Sequence, residues 1–391
     1  MKLMRTRRTV FVLQLLLLTG LCLVNAAGAA DTKSLVYVGT YTDQGSQGIY
    51  NYEFDPATGG LTALGLGAES PNPTFLALDP NHKFLYAANE ISSYNGKATG
   101  SVSAFAIAAS GKLSPLNQVS ARDEGPAHVA TDKTGKYVLI ANYPRGSVAV
   151  FPVLGDGELG EATAFVQHRG SSVDPDRQTG PHAHEVVMSP DNRFALVMDL
   201  GIDQVLVYPF DASKGTLGEP RTAKVKPGSG PRHLVFNPSG KVAYLIDEMF
   251  SNITVFSYDA ASGALAELQT ISTLSEGFKG KNKAAEIAIH PSGKFLYASN
   301  RGEDSIAVFA IAAKKGTLRS IERVPTQGKT PRNFAIDPSG SWLLAANQDS
   351  NNIVSFRIDA KTGHLTPGGP VVQLASPVCI QFGAPVQPNS K

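Results

Sequence analysis

Three arginines, three histidines and four carboxylates stand at two recurring kinds of place in this chain, and side chains of those types can move protons and hold anions. The first place is the start of seven short apolar segments, where two adjacent positions read Thr74/Phe75, Ala127/His128, His184/Glu185, Arg232/His233, Ala285/Glu286, Arg332/Asn333 and Val378/Cys379. A strand buried on both faces is apolar there, so His128, His184, Glu185, Arg232, His233, Glu286, Arg332 and Asn333 stand out. The second place follows a repeated Asn or Asp at the end of the next apolar run, and holds Glu90, Tyr143, Glu248, Arg301 and Gln348.

An imidazole or carboxylate within reach of water acts as a general base and returns the proton as a general acid. A guanidinium is a planar fork of donors that suits a carboxylate, a phosphate or a developing oxyanion. Burying two guanidiniums and a carboxylate is costly without a reason, which sets His184, Arg232, Glu248 and Arg301 apart as the candidate catalytic set. His128, Glu185, His233, Glu286, Arg332 and Asn333 form the candidate substrate-binding set; for His128 and His233 the competing reading is a satisfied core imidazole. His182, His184 and Glu185 imitate a metal site, but Pro181 and the insertion before it make the spacing loose. No metal and no cofactor is therefore assigned. No Ser or Cys lies in a nucleophile-elbow context, which favours direct attack by water over an acyl-enzyme.

The elements that must position these residues are written as a repeat. Residues 230–256, GPRHLVFNPSGKVAYLIDEMFSNITVF, contain three apolar runs separated by turn chemistry such as Asn237-Pro238-Ser239-Gly240. The same unit recurs at Asp79-Pro80, Asp132-Lys133, Ser189-Pro190, His290-Pro291 and Asp337-Pro338, at spacings of roughly 47 to 57 residues, as in propeller blades. A Gly-x-Leu turn and a fourth run follow, for example at Gly263-Ala264-Leu265. The spacing predicts an all-β chain of four-stranded antiparallel blades. Six units are complete. Residues 35–61 match the second to fourth strands of a unit, and residues 376–382 match a first strand, so a seventh blade closed by both termini is expected, which removes an open sheet edge. The first strand of each blade lines the axis, so the two chemical sets should converge on one axial cup. The repeated Asn89, Asn142, Asp199, Asp247, Asn300 and Asn347 read as turn caps between blades.

The chain has 391 residues, a formal net charge of +2 and 17% charged residues. That balance, without a dense basic patch, excludes a nucleic-acid surface. Residues 1–30 combine Arg5, Arg7 and Arg8, an apolar run and an Ala-rich end, which reads as a secretory signal peptide. The mature protein is then expected to be periplasmic or secreted, free of the membrane after cleavage, with one propeller domain over 31–386 and a frayed tail over 387–391. Only Cys379 would remain, which excludes an intramolecular disulfide and a cysteine cluster.

The segments Gly-Pro-Arg-His-Leu, Asn-Pro-Ser-Gly-Lys, Phe-Leu-Tyr-Ala-Ser-Asn-Arg and Asp-Glu-x-x-x-x-Ile-Thr-Val-Phe resemble the seven-bladed propeller lactonase family, and the likeness spans residues 34–382. That family contains propeller-type 6-phosphogluconolactonases and fungal carboxymuconate lactonizing enzymes. The resemblance implies an active-site histidine, arginine, glutamate and second arginine, which fall on His184 in His-Ala-His-Glu, Arg232 in Gly-Pro-Arg-His, Glu248 in Asp-Glu-Met and Arg301 in Asn-Arg-Gly. It implies hydrolysis of a sugar-acid lactone, with a small anionic lactone or hydroxy acid as the partner; a monomer is the expected state. An export signal fits poorly with a phosphorylated cytoplasmic metabolite, so a non-phosphorylated substrate enters the expectation. Two alternatives stand beside it: a carboxymuconate-type lactonizing cycloisomerase, and a non-catalytic envelope propeller that binds a protein or glycan.

Overall fold

A computed structural model describes residues 32–386. The expected signal peptide and the tail lie outside the described residues. Seven antiparallel sheets follow one another around an axis, each with its first strand innermost. Blade 1 begins with Pro73–Leu78, blade 2 with Pro126–Thr131, blade 3 with Ala183–Met188, blade 4 with Pro231–Phe236, blade 5 with Lys283–Ile289 and blade 6 with Pro331–Ile336. In blade 7 the C-terminal strand Pro377–Pro385 is innermost and pairs with Ser34–Thr40, which continues outward to Gly48–Asp55 and Gly60–Glu69. The two termini thus share one sheet, as the fragmentary repeats foretold. The fourth strand of blades 3 and 6 is broken in two, at Thr216–Leu217 with Arg221–Lys224 and at Leu365–Pro367 with Val372–Gln373. Pro220 and Pro370 lie in the breaks, where a residue without an N–H cannot continue a ladder.

The apolar core lies between the blades. Seven buried clusters each combine residues of two neighbouring sheets, one for each blade interface. Tyrosines of the second strands tie the interfaces further: the hydroxyls of Tyr86, Tyr244 and Tyr297 donate to Gly157 O, Gly316 O and Gly363 O in the turn of the next blade. Between blades 6 and 7, Trp342 Nε1 donates to Pro56 O and Ser355 Oγ to Gly59 O, which latches the ring.

The repeated Asn residues satisfy backbone carbonyls between blades. Asn142 Nδ2 donates to Ala121 O, Asn300 Nδ2 to Thr273 O and Asn347 Nδ2 to Thr326 O, each in the segment crossing from the preceding blade. Asp247 stands in that position in blade 4, wholly buried, with Oδ2 taking the Thr254 hydroxyl and Oδ1 without a partner. Burial raises its pKa to about 8 from an ordinary 3.8. A carboxyl with a raised folded-state pKa favours folding at low pH, and that contribution is lost progressively as the pH rises from about 4 to about 8. Asp247→Asn is therefore expected to stabilise the protein by roughly 2–4 kcal/mol at pH 8 and by little at pH 4, measured by urea unfolding at both values.

Candidate active site

A break in register positions the chemistry. In six innermost strands the ladder skips between Pro73 and Phe75, Pro126 and His128, Ala183 and Glu185, Pro231 and His233, Ala284 and Ile287, and Pro331 and Asn333. A bulge sets two residues against one and re-aims their side chains. Adjacent residues that would otherwise point to opposite faces, such as Arg232 and His233, therefore both join the axial cluster. The second strand returns Glu248 and Arg301 to the same end. Glu248 N donates to Gly230 O at 2.7 Å, and Arg301 pairs with Lys283 across the ladder.

Glu248 is the hub of the cup. Its Oε2 lies 2.7 Å from an Arg301 terminal nitrogen and 3.3 Å from Arg232 Nε, and its Oε1 lies 2.8 Å from an Arg177 terminal nitrogen. The Arg232 contact is an ion pair without hydrogen-bond alignment; the same side chain donates through a terminal nitrogen to Ala285 O at 2.5 Å. Burial alone would raise the Glu248 pKa, but the guanidiniums of Arg301, Arg232 and Arg177 outweigh it and hold the carboxyl well below the usual range. Glu248 is thus a fixed anion.

His184 differs in kind. It is 4% exposed, its imidazole makes no hydrogen bond within the described residues, and its Nδ1 is buried and unpartnered. Burial first, then the charges of Arg232, Arg332 and Arg301, push its pKa well below 6.5, so the imidazole is neutral. The Tyr143 ring packs edge-on against it at 5.5 Å between centroids, and His233 does so at 5.1 Å. Arg332 stands over the Tyr41 ring at 5.6 Å, and forms no ion pair among the described residues. Tyr41 in turn donates to Glu90 at 2.9 Å.

The remaining candidates meet one layer deeper, and they meet each other. His128 Nε2 lies 3.5 Å from Glu185 Oε1, Leu234 N donates to Glu185 Oε2 at 2.5 Å, and His233 Nδ1 lies 3.1 Å from Glu286 Oε1. Asn333 Nδ2 donates to Glu286 Oε2 at 2.5 Å, and Ile380 N to Asn333 Oδ1 at 2.9 Å. The Phe75 ring covers His128 at 4.0 Å. The polar contacts run around the axis in a hoop from blade 2 to blade 7, and the Phe75 ring adds blade 1. Burial pushes both imidazoles down and both carboxyls up, which disfavours charge on either side of these contacts; His233–Glu286 is a hydrogen bond, whereas His128 and Glu185 are only close neighbours. The structure thus brings all six expected substrate-binding residues to the axis, but it leaves only Arg332 in the cup as a cation without a direct ion pair among the described residues, with Glu90 and Glu248 acting on it from a distance.

Arg177 and Tyr41 were not singled out by the sequence pattern. Arg177 lies in the insertion over 169–180, which has no counterpart in other blades. Asp174 Oδ1 accepts the amides of Asp176 and Arg177, and Gln178 Nε2 donates to Leu200 O, so the loop is braced from within and from below. Gly201 lets it lie close: a Cβ there would come within 2.0 Å of Gly180 O. The guanidinium donates to both Tyr143 Oη and Glu248.

The model of the family "Lactonase, 7-bladed beta-propeller" matches residues 35–382. A Bacillus subtilis protein named 6-phosphogluconolactonase is 37% identical over 303 residues, covering 78% of this chain and 85% of its own length. One of that name from Formosa agariphila is 38% identical, covering 76% and 85%. Among solved structures, the Pseudomonas aeruginosa periplasmic gluconolactonase PpgL is 35% identical with a TM-score of 0.86, covering 90% of this chain and 99% of its own. A six-unit repeat completed by both termini, a bulged axial site and these likenesses agree: the chain belongs to the seven-bladed β-propeller lactonase family.

Proposed function

We propose that the protein hydrolyses the intramolecular ester of sugar-acid lactones at the axial cup, with His184 as the general base. The observation that carries this assignment is the neutral, buried His184 imidazole without a hydrogen bond, beside a carboxylate already held by three guanidiniums. A buried polar group left unpartnered is costly unless it serves a purpose. Glu248, with its protonation suppressed, is a poor proton acceptor; it holds Arg177, Arg232 and Arg301 in place.

The chemistry follows from these roles. A water gives a proton to His184 and attacks the lactone carbonyl carbon. The carbonyl oxygen becomes an oxyanion, and Arg332, which has no direct ion pair among the described residues, stabilises it together with the cationic wall formed by Arg301 and Arg232. The ring C–O bond then breaks, and the imidazolium returns its proton to the leaving ring oxygen as general acid. The product is the open hydroxy acid, which ionises and releases one proton to solvent. The deeper hoop supports this wall: His233 and Ala285 O lie against Arg232.

The test is opening of glucono-1,5-lactone by the purified protein, followed by proton release above the spontaneous rate; no acceleration would remove the reading. The pH dependence is part of it. A base with a depressed pKa stays neutral until the pH falls well below 6.5, so kcat/KM is expected to hold level from pH 7.5 down through 6.5 and to fall only at lower pH. An acid limb centred at or above 6.5 would assign the proton to another group. Residues 1–30 support export of the chain, and an intact mass retaining them in the mature protein would remove that part.

A further inference from the structure

The cup leaves one chemical requirement unmet. Arg177, Arg232 and Arg301 share a single carboxylate, Glu248, and Arg332 is committed to the oxyanion in the proposed reaction. An anionic group elsewhere on the substrate needs cations of its own.

Such cations line the adjoining cavity. A 530 Å³ pocket at the rim is walled by Met249, Phe250, Leu274, Lys281, Lys283 and Arg301, a size suited to a small ligand. Arg301 belongs to both spaces: one terminal nitrogen holds Glu248, while Nε donates to Lys283 O. The Arg301 side chain is therefore the wall that the pocket and the cup share. Lys281 and Lys283 are exposed, and neither forms an ion pair among the described residues. No carboxylate lines the pocket. Phe250, 43% exposed, is an apolar wall beside these cations, with the Lys226 ammonium over its ring at 4.9 Å. Burial, then the nearby charges of Arg177, Arg301 and Arg332, lower the Lys283 pKa against the opposing pull of Glu248, so Lys283 stands in a field that is cationic on balance.

We propose that this rim pocket is a second subsite, in which Lys281 and Lys283 bind an anionic group, carboxylate or phosphate, on the tail of the lactone remote from its ester. The inference rests on the lactonase reading and deepens it. It moves recognition of the substrate's charge from the arginines of the cup to the loop over residues 273–282 and the strand after it. Ammonium groups bind such anions as point charges through charge-assisted hydrogen bonds.

The experiment compares three lactones: glucono-1,5-lactone with a neutral tail, glucaro-1,4-lactone with a tail carboxylate and 6-phosphoglucono-1,5-lactone with a tail phosphate. In the wild type at least one anionic lactone is expected to have a lower KM than the neutral one. In the double variant Lys281→Ala/Lys283→Ala, the ratio of kcat/KM for that lactone over glucono-1,5-lactone is expected to fall about tenfold or more, through KM. Lys283→Arg, which keeps the charge, is expected to retain most of the ratio. The preferred anion identifies the source of the tail charge. Equal ratios in wild type and double variant, for both anions, would overturn the subsite. Should no lactone be opened, the lactonase reading falls while the subsite stays testable by calorimetric titration with gluconate, glucarate and gluconate 6-phosphate. Tighter binding of an anionic-tailed acid, lost in the double variant, supports it; equal binding of all three overturns it.

Discussion

Glu248→Gln is expected to lower kcat/KM for lactone opening by at least about a hundredfold and to destabilise the fold by about 3–5 kcal/mol. Both effects have one cause. The wild-type carboxylate is 3% exposed and answers three guanidiniums, of which Arg232 is itself 2% exposed. Glutamine keeps the shape and two hydrogen-bonding atoms but removes the charge. Arg177, Arg232 and Arg301 then face one another, with Arg332 close enough to depress the pKa of both Arg232 and Arg301. Breaking a buried ion pair costs far more than forming it gains, because the remaining charge is left in a medium of low dielectric. The cationic wall should splay, and with it the support for the oxyanion. Glu248→Asp, which keeps the charge on a shorter arm, should recover more stability than activity. Urea midpoints beside steady-state kinetics decide the matter. Full stability in the glutamine variant would show that the guanidiniums do not depend on Glu248.

The architecture was legible because each blade repeats one sentence, and because a ring must leave its first and last strands incomplete to be closed by both. The polar pairs at the start of the innermost strands were legible for a related reason: a bulge lets both residues of a pair reach the axis, so Arg232/His233 and Arg332/Asn333 both break an otherwise apolar pattern. What the pattern did not reveal is who partners whom. Glu185, Glu286 and Asn333 look as reactive in sequence as Glu248, yet they are consumed in bonds to neighbouring blades, and that depends on packing around the ring. Arg177 escaped because the insertion carrying it occurs once, so no repeat marks it. The roles of Glu248 and His184 became separable only through their surroundings, three guanidiniums around one and no hydrogen bond to the other.

That separation yields the sharpest expectation. His184→Gln should lower kcat by about 10²–10⁴-fold, the range contributed by a positioned general base, with KM near the wild-type value. Stability should change by less than about 1 kcal/mol, because the imidazole makes no hydrogen bond within the described residues that its loss would orphan. Glutamine fills much of the same volume beside Tyr143 and His233, so the cup should keep its shape. The residual activity should lose the acid limb of the pH profile, since the group that titrates there is gone. Added imidazole should restore part of the rate if the cup admits it, as a base brought from solution. Loss of activity without loss of stability at His184, against loss of both at Glu248, is the signature of a base beside a structural anion. A His184 variant that keeps wild-type kcat, or keeps its acid limb, would pass the proton to another residue of the cup and leave Glu248, released from one of its arginines in the substrate complex, as the next to test.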